Sequence, residues 1–495
     1  MSEIDFGKIA SRGGSVENAF EELCCQLASR TRPTGTKFER YRGAGGDGGV
    51  ECRVIDAHGS AAGWQTKYVF DIDGLLKQAQ LSLETALSVH ADLTRYVVCF
   101  PFDLTGKTAR KGKSQTEKFD EWARKAEADA KAKARTLTIE RWSAHEIQDL
   151  ILANDSSGGL RHYFFSVTTF SDQWFADHVA AAKLAAGPRY NREISLETPL
   201  SGWFSSFCGG PDWQAQLADR LDACRKETNH VEGLVEGKGG DPMHPGWPEA
   251  AHEIGRRAAA DSRSCVQGAE ALAAAPTEEG LSKLQTSIAR LLDDLATVEG
   301  ELAADLDAKH GEGSADSKQF RSYMAEYMVS FPAANLDAVR DAREKWCAFS
   351  DWLSSPAGFL AYRQVFVLSG SGGAGKTHSL CDIAQRRLAD GAYTCVVFGH
   401  QFGGEPDPWT RFAESLGVPL TLGRDGVLDV LDAAAECSGK KLVICLDAVN
   451  ETRPRSYWFG RFDEFARAVA SRAHLKLCVS CRTSFLPACL PKDVA

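Results

Sequence analysis

The run "LSGSGGAGKT" (residues 368–377) constrains this chain more than any other stretch. It follows the apolar segment "QVFV" and precedes "HSLCDIAQRRLA", whose apolar positions recur at helical spacing. A strand that empties into glycines and restarts as a helix predicts a phosphate-binding loop of the form G-x-x-x-x-G-K-[ST]. Glycines let backbone N–H groups curl around a phosphate, and the helix N-terminus adds a favourable dipole. The candidate nucleotide contacts are Gly370, Gly372, Gly373, Ala374, Gly375, Lys376, Thr377 and His378. In this scheme Lys376 reaches the β- and γ-phosphates of ATP and the Thr377 hydroxyl ligates Mg²⁺. A glycine-rich turn that matched by accident would not need the strand before it and the helix after it.

Three later apolar runs, "YTCVVFGH", "KLVICLD" and "LKLCVSC", alternate with helical patterns. This predicts an α/β sheet with helices on both faces over residues 341–495. "KKLVICLDAVNE" ends its strand on Asp447, where a carboxylate in the outer sphere of Mg²⁺ belongs; read alone, Asp447 is a cap or turn residue. Glu451, four residues on and beside Asn450, is the candidate to polarise the attacking water. "LKLCVSCRT" puts Ser480 and Arg482 at a strand end, where a polar or cationic group senses the γ-phosphate; an exposed arginine after a strand is the plain alternative.

Residues 1–152 alternate helix and strand, beginning with a helix in "VENAFEELCCQLAS". Two strands are expected at 50–56 and 63–70, joined by the turn-rich "AHGSA". With the turn centred near Gly59, Glu51 stands opposite Lys67 and shares a face with Arg53 and Gln65. Asp47 lies just ahead. On a helical wheel Glu21 flanks the apolar stripe beside Cys24, Cys25 and Ala28. Glu22 falls with Asn18, Gln26 and Ser29 on the wet side, so Glu21 is the acid expected to face inward. Carboxylates that hold Mg²⁺ beside a lysine suit phosphodiester cleavage: the metal activates water and the lysine stabilises the phosphorane. The bland alternative is a hairpin whose lysine makes a salt bridge.

Residues 153–340 read as a mainly helical connecting region without chemistry. The chain has 495 residues, enough for two or three domains, and 43% hydrophobic and 25% charged residues, ordinary for a globular protein. Its net charge of −10 excludes a wholly basic nucleic-acid coat, leaving local patches to bind phosphates. Fifteen cysteines, an odd and scattered number, predict free thiols in a reducing cytoplasm. The single CxxC, Cys478 to Cys481, has no second pair for a zinc ribbon and reads as strand packing. No signal peptide and no membrane span are expected.

These motifs carry two resemblances. "LDAVNE" and "VSCRT", with the phosphate loop, resemble the Walker B and strand-end arginine elements of STAND signalling NTPases, relatives of NACHT and AP-ATPases. "AFEELCCQL", "GGDGGVE" and "WQTK" resemble, in order, the helix acid, GDxGxD and QxK elements of Mrr-like PD-(D/E)xK nucleases. Glu51 stands where aspartate is commoner, Gln65 where many relatives have an acid, and either Asp47 or Glu51 is the principal ligand. Together, with "AAGPRYNREISLETPL" between them, they are similar to the antiviral STAND (Avs) proteins.

The resemblance implies a restriction-endonuclease-like domain over 1–152, a helical region over 153–340 and a P-loop NTPase core over 341–495. It implies ATP and Mg²⁺ as cofactors, DNA as substrate, homo-oligomerisation on activation, a phage protein as trigger and no membrane. Family members continue with a winged helix and a sensor array, whereas this sequence stops at "LPACLPKDVA". A fragment, or a split system in which another chain senses, is expected. The alternatives are a regulatory ATPase whose head binds nucleic acid or a partner without cutting, and an inactive fragment.

Overall fold

The computed structural model describes residues 4–41, 48–106, 112–166, 170–191, 199–236, 247–274, 277–313, 332–404 and 406–490. The chain is a mixed α/β protein of two compact units, residues 1–192 with 367–495, and residues 193–366.

The first unit holds two sheets. One runs in the order β1 (Lys37–Arg40), β2 (Cys52–Ile55), β3 (Ala61–Thr66), β4 (Leu93–Cys99), β5 (Thr138–Trp142). β1, β2 and β3 pair antiparallel, while β3, β4 and β5 pair parallel. The change of direction follows from the connections: a tight turn joins β2 to β3, whereas helices Ile72–Val89 and Gln115–Ala132 carry the chain over to β4 and β5. Leu75, Ala79 and Leu83 of the first helix and Phe119 and Ala123 of the second bury against Tyr96, Val98 and Ile139. Helix Val16–Thr31 packs against β2 and β3.

β2 is tied down beside the acidic hairpin. Arg53 donates to Glu39 at 2.9 Å and to Asp92 at 2.8 Å, and Glu39 also pairs with Lys37 at 2.8 Å. The hydrogen bond from Arg53, then that from Lys37, holds the Glu39 carboxyl down to about 2. A depressed carboxyl contributes stability that is present above its unfolded pKa and lost as pH falls through the folded value. Glu39→Gln is expected to cost about 1 kcal/mol at neutral pH, because the pair is partly exposed. Chemical denaturation across the acid range should show the difference shrinking below about pH 4.3, the ordinary glutamate value.

The other sheet has the order β6 (Val365–Gly370), β9 (Leu475–Arg482), β8 (Leu442–Asp447), β7 (Thr394–Phe398), with β7/β8 and β8/β9 parallel. These strands are nearly continuous apolar runs; Cys478 and Cys481 are buried in β9. Helix Asp172–Ala186 joins this sheet as an outer layer. Its His178 Nε2 accepts from the Val396 N–H at 3.0 Å, and Phe175 stacks on Tyr393 at 4.0 Å. Burial pushes His178 down to about 4, so the ring is neutral and free to accept. Helix Gly423–Ser438 packs against both Val16–Thr31 and Gly159–Phe165. At Gly159 an added Cβ would lie 2.4 Å from the Asp429 Cβ.

The second unit is helical. Pro211–Glu236, Glu249–Ala274, Glu278–His310 and Pro332–Ser354 share a core that includes Leu221, Ile288, Leu295, Val298 and Trp346. Among the described residues, no helix is long and apolar enough to cross a membrane.

Candidate functional site

The glycine loop opens where β6 ends and closes into helix Lys376–Ala389. Gly373 and Gly375 have φ of +80° and +79°, a region that a Cβ would strain, so the tight curl depends on glycine at both. The Lys376 side chain folds back along the loop and donates to the carbonyls of Gly370 (2.9 Å) and Ser371 (2.8 Å). Burial lowers its pKa from the ordinary lysine value, and the Arg482 guanidinium adds to this while Asp447 opposes it. An arriving polyanion relieves that penalty. Arg482 lies over the loop: a Cβ added at Gly372 would sit 3.7 Å from its guanidinium.

Asp447 is fully buried at the end of β8. It accepts from the Thr377 hydroxyl at 2.7 Å and from the Ser480 hydroxyl. The same Ser480 oxygen accepts the Ala448 N–H at 2.8 Å. Ala448 is one of three non-glycine residues at positive φ among those described (φ 54°, ψ 51°). Such a residue persists only where its surroundings hold it, and here Ser480 supplies the bond. β9 lies between β6 and β8, which is why Ser480 and Arg482, two apart on one side of the strand, both reach the site. Ser480 thus orients Asp447, the role its position alone did not reveal. Ser480→Ala is expected to destabilise the fold by about 1–2 kcal/mol, read as a lowered denaturation midpoint.

The cleft above the loop has a volume of about 350 Å³ and is lined also by Pro188, Arg189, Asn450 and Glu451. Asn450 Oδ1 accepts the Arg482 N–H at 3.0 Å, joining the ends of β8 and β9. Arg189 Nη1 donates to both Glu451 oxygens, at 3.2 and 3.1 Å. Next to it Tyr190 stacks on His378 (5.1 Å between centroids), and the Asn191 N–H donates to His378 Nδ1 at 3.3 Å. Arg189 lies within 153–340, the region read as helical and without chemistry, and the structure brings it to the rim of this cleft. Its only signal was its place in "GPRYNRE", and nothing in spacing could pair it with a glutamate 262 positions away.

In the other sheet the β2–β3 hairpin forms, but β3 is Ala61–Thr66 rather than 63–70. Its pairing Cys52↔Trp64 centres the turn on His58, not Gly59, so Gln65 rather than Lys67 faces Glu51. The Gln65 amide donates to Glu51 Oε1 at 2.5 Å. Gln65 is fully buried, and among the described residues its Oε1 has no hydrogen-bond partner. Lys67 lies just past β3, half-buried, with its N–H on the Cys99 carbonyl at 2.9 Å. Asp47 falls outside the described residues. After it, Gly49 (φ +80°) passes so close to helix Ile72–Val89 that a Cβ would lie 2.2 Å from the Ser82 carbonyl.

The helix acid also needs correction. Glu22, not Glu21, is the buried one; it pairs with Arg40 at 2.6 Å and accepts from Gln26 at 2.8 Å. Part of the wheel's wet side is covered by helix Gly423–Ser438, where Gln26 donates to the Ala433 carbonyl at 3.1 Å. Glu21 is partly exposed and lies 3.7 Å from Arg40.

Against known proteins, no family model matches this chain and no curated protein matches it.

Proposed function

We propose that this chain is an ATP-dependent switch of the antiviral STAND kind with an Mrr-like, restriction-endonuclease-like nuclease lobe over 1–152 and a P-loop NTPase core over 341–495. The observation that carries the NTPase half is the 2.7 Å bond between Thr377 and the buried Asp447. A hydroxyl and a carboxylate side by side beneath a glycine loop are the hard oxygen donors that suit Mg²⁺. When bound there, Mg²⁺ offsets the charge of the β- and γ-phosphates.

The remaining roles belong to the chain's own groups. Lys376 exchanges its two loop carbonyls for phosphate oxygens. Arg482 supplies positive charge from the end of β9, Ser480 fixes Asp447, and Glu451 accepts the proton of the attacking water. Glu451→Gln is expected to keep nucleotide binding and slow phosphate release about 100-fold, the low end for loss of a general base. Turnover equal to that of the unaltered chain would move this role elsewhere.

The nuclease half rests on Glu51 and Gln65. The Glu51 carboxylate and the Gln65 amide oxygen, the latter without a hydrogen-bond partner among the described residues, are adjacent on one hairpin face and form an oxygen donor set that fits Mg²⁺. Lys67, two residues beyond Gln65, is the cation for the phosphorane, and Asp47 completes the proposed set. Mg²⁺-dependent degradation of plasmid DNA tests this. One observation favours the second reading, a head that binds nucleic acid without cutting: the buried helix acid Glu22 is already engaged by Arg40 and Gln26. In the first reading the whole assembly acts on DNA in the cytoplasm as a homo-oligomer triggered by a phage component.

A further inference from the structure

The segment that leads out of helix Asp172–Ala186 is a short strap of restricted freedom. Gly187 turns the chain at φ +55°, and a single 3₁₀ turn, Gly187–Arg189, follows. Upstream, the helix is fixed to β7 through His178 and Phe175. Downstream, Tyr190 and Asn191 grip His378, the residue next to Thr377 of the phosphate loop. Between these anchors Arg189 reaches Glu451, and its guanidinium carbon also lies 5.8 Å from the Phe398 ring centre.

We propose that Arg189 is a positioning residue that restrains Glu451, holding its carboxylate in an ion pair that must open before the carboxylate can accept a proton from water. The inference rests on the reading of Glu451 as the water-polarising group. One guanidinium nitrogen spans both carboxylate oxygens and takes one lone pair of each, so a water has to compete with it there. The pair is also weak enough to open. The two side chains are 38% and 30% exposed, and a half-exposed ion pair is screened by solvent and salt. A terminal phosphate in the cleft competes for the same guanidinium, since phosphate is a strong acceptor for arginine. The strap therefore couples nucleotide occupancy to the availability of the base.

Steady-state Mg·ATP hydrolysis by the full chain, at low and high salt, tests this. Arg189→Gln is expected to raise kcat about two- to five-fold at low salt, the factor an exposed ion pair is worth. Added salt should bring the unaltered chain towards the variant and leave the variant flat, a signature that a purely structural role would not produce. Arg189→Lys keeps the charge and should restore the salt response. A folded Arg189→Gln protein whose kcat is unchanged, lowered or undetectable overturns the restraint. Glu451→Gln in the same assay separates the two readings. If it slows turnover while Arg189→Gln does not raise it, the restraint alone falls. If it turns over like the unaltered chain, the role of Glu451 falls and takes the restraint with it.

Discussion

Replacing Lys376 by alanine should abolish measurable binding of Mg·ATP, weakening it about 100-fold or more. The lysine contributes charge-assisted bonds to two phosphates, each worth about 1.5–3 kcal/mol. Its hydrogen-bond partners are two backbone carbonyls of the loop, and the buried Asp447 keeps its bonds from Thr377 and Ser480 when the lysine is removed. Thermal stability should therefore change little, and the effect on the nucleotide is separable from any effect on the fold. Titration with a fluorescent ATP analogue measures it. Unchanged affinity in a folded variant would take the nucleotide away from this loop and leave Thr377 and Asp447 as a structural pair. Asp447→Asn is the informative companion: it keeps an acceptor for one of the two hydroxyls, turns an amide N–H to the other, and removes the charge that would face Mg²⁺.

Lys67→Ala should eliminate Mg²⁺-dependent DNA cleavage, a loss of about 100-fold or more, while nucleotide binding persists. The two proposed sites belong to different sheets, one carried by β3 and the other by β6, β8 and β9. The assay is plasmid degradation by the complete complex, with any further chain and trigger supplied. Cleavage that survives Lys67→Ala, or the double change of Asp47 and Glu51 to alanine, would mean that this lobe is not the nuclease. Glu51→Gln is a cleaner single change than Glu51→Ala, since alanine would strip the buried Gln65 amide of its acceptor at a cost of about 1–3 kcal/mol. The two sites are expected to act in sequence. A single lobe on a chain of net charge −10 is expected to contact few phosphates, and DNA affinity rises steeply with the number contacted. ATP-driven clustering of several lobes would supply those contacts. Cleavage that ignores Lys376→Ala would keep the nuclease and discard this gating.

The glycine loop between strand and helix and the strand-end place of Asp447 were legible in the sequence because their determinants are local. Eight consecutive residues specify the curl, and an apolar strand running into an acid specifies the carboxylate. The hairpin faces were legible for a similar reason, since period two alone puts Glu51, Arg53 and Gln65 on one side. Register was not. Moving the turn centre from Gly59 to His58 shifts every partner by two residues, and turn geometry sets that shift. The helix acid was misread because a helical wheel knows one helix and not its neighbours. Asn18, Glu22, Gln26 and Ser29 are a polar stripe, yet helix Gly423–Ser438 covers part of it and leaves Gln26 fully buried. Ser480 could be placed at a strand end but given no partner, because the insertion of β9 between β6 and β8 is a property of the sheet. Arg189 lies furthest from what sequence can determine: its pairing with Glu451 exists only because helix Asp172–Ala186 packs on β7 and delivers the strap to the cleft.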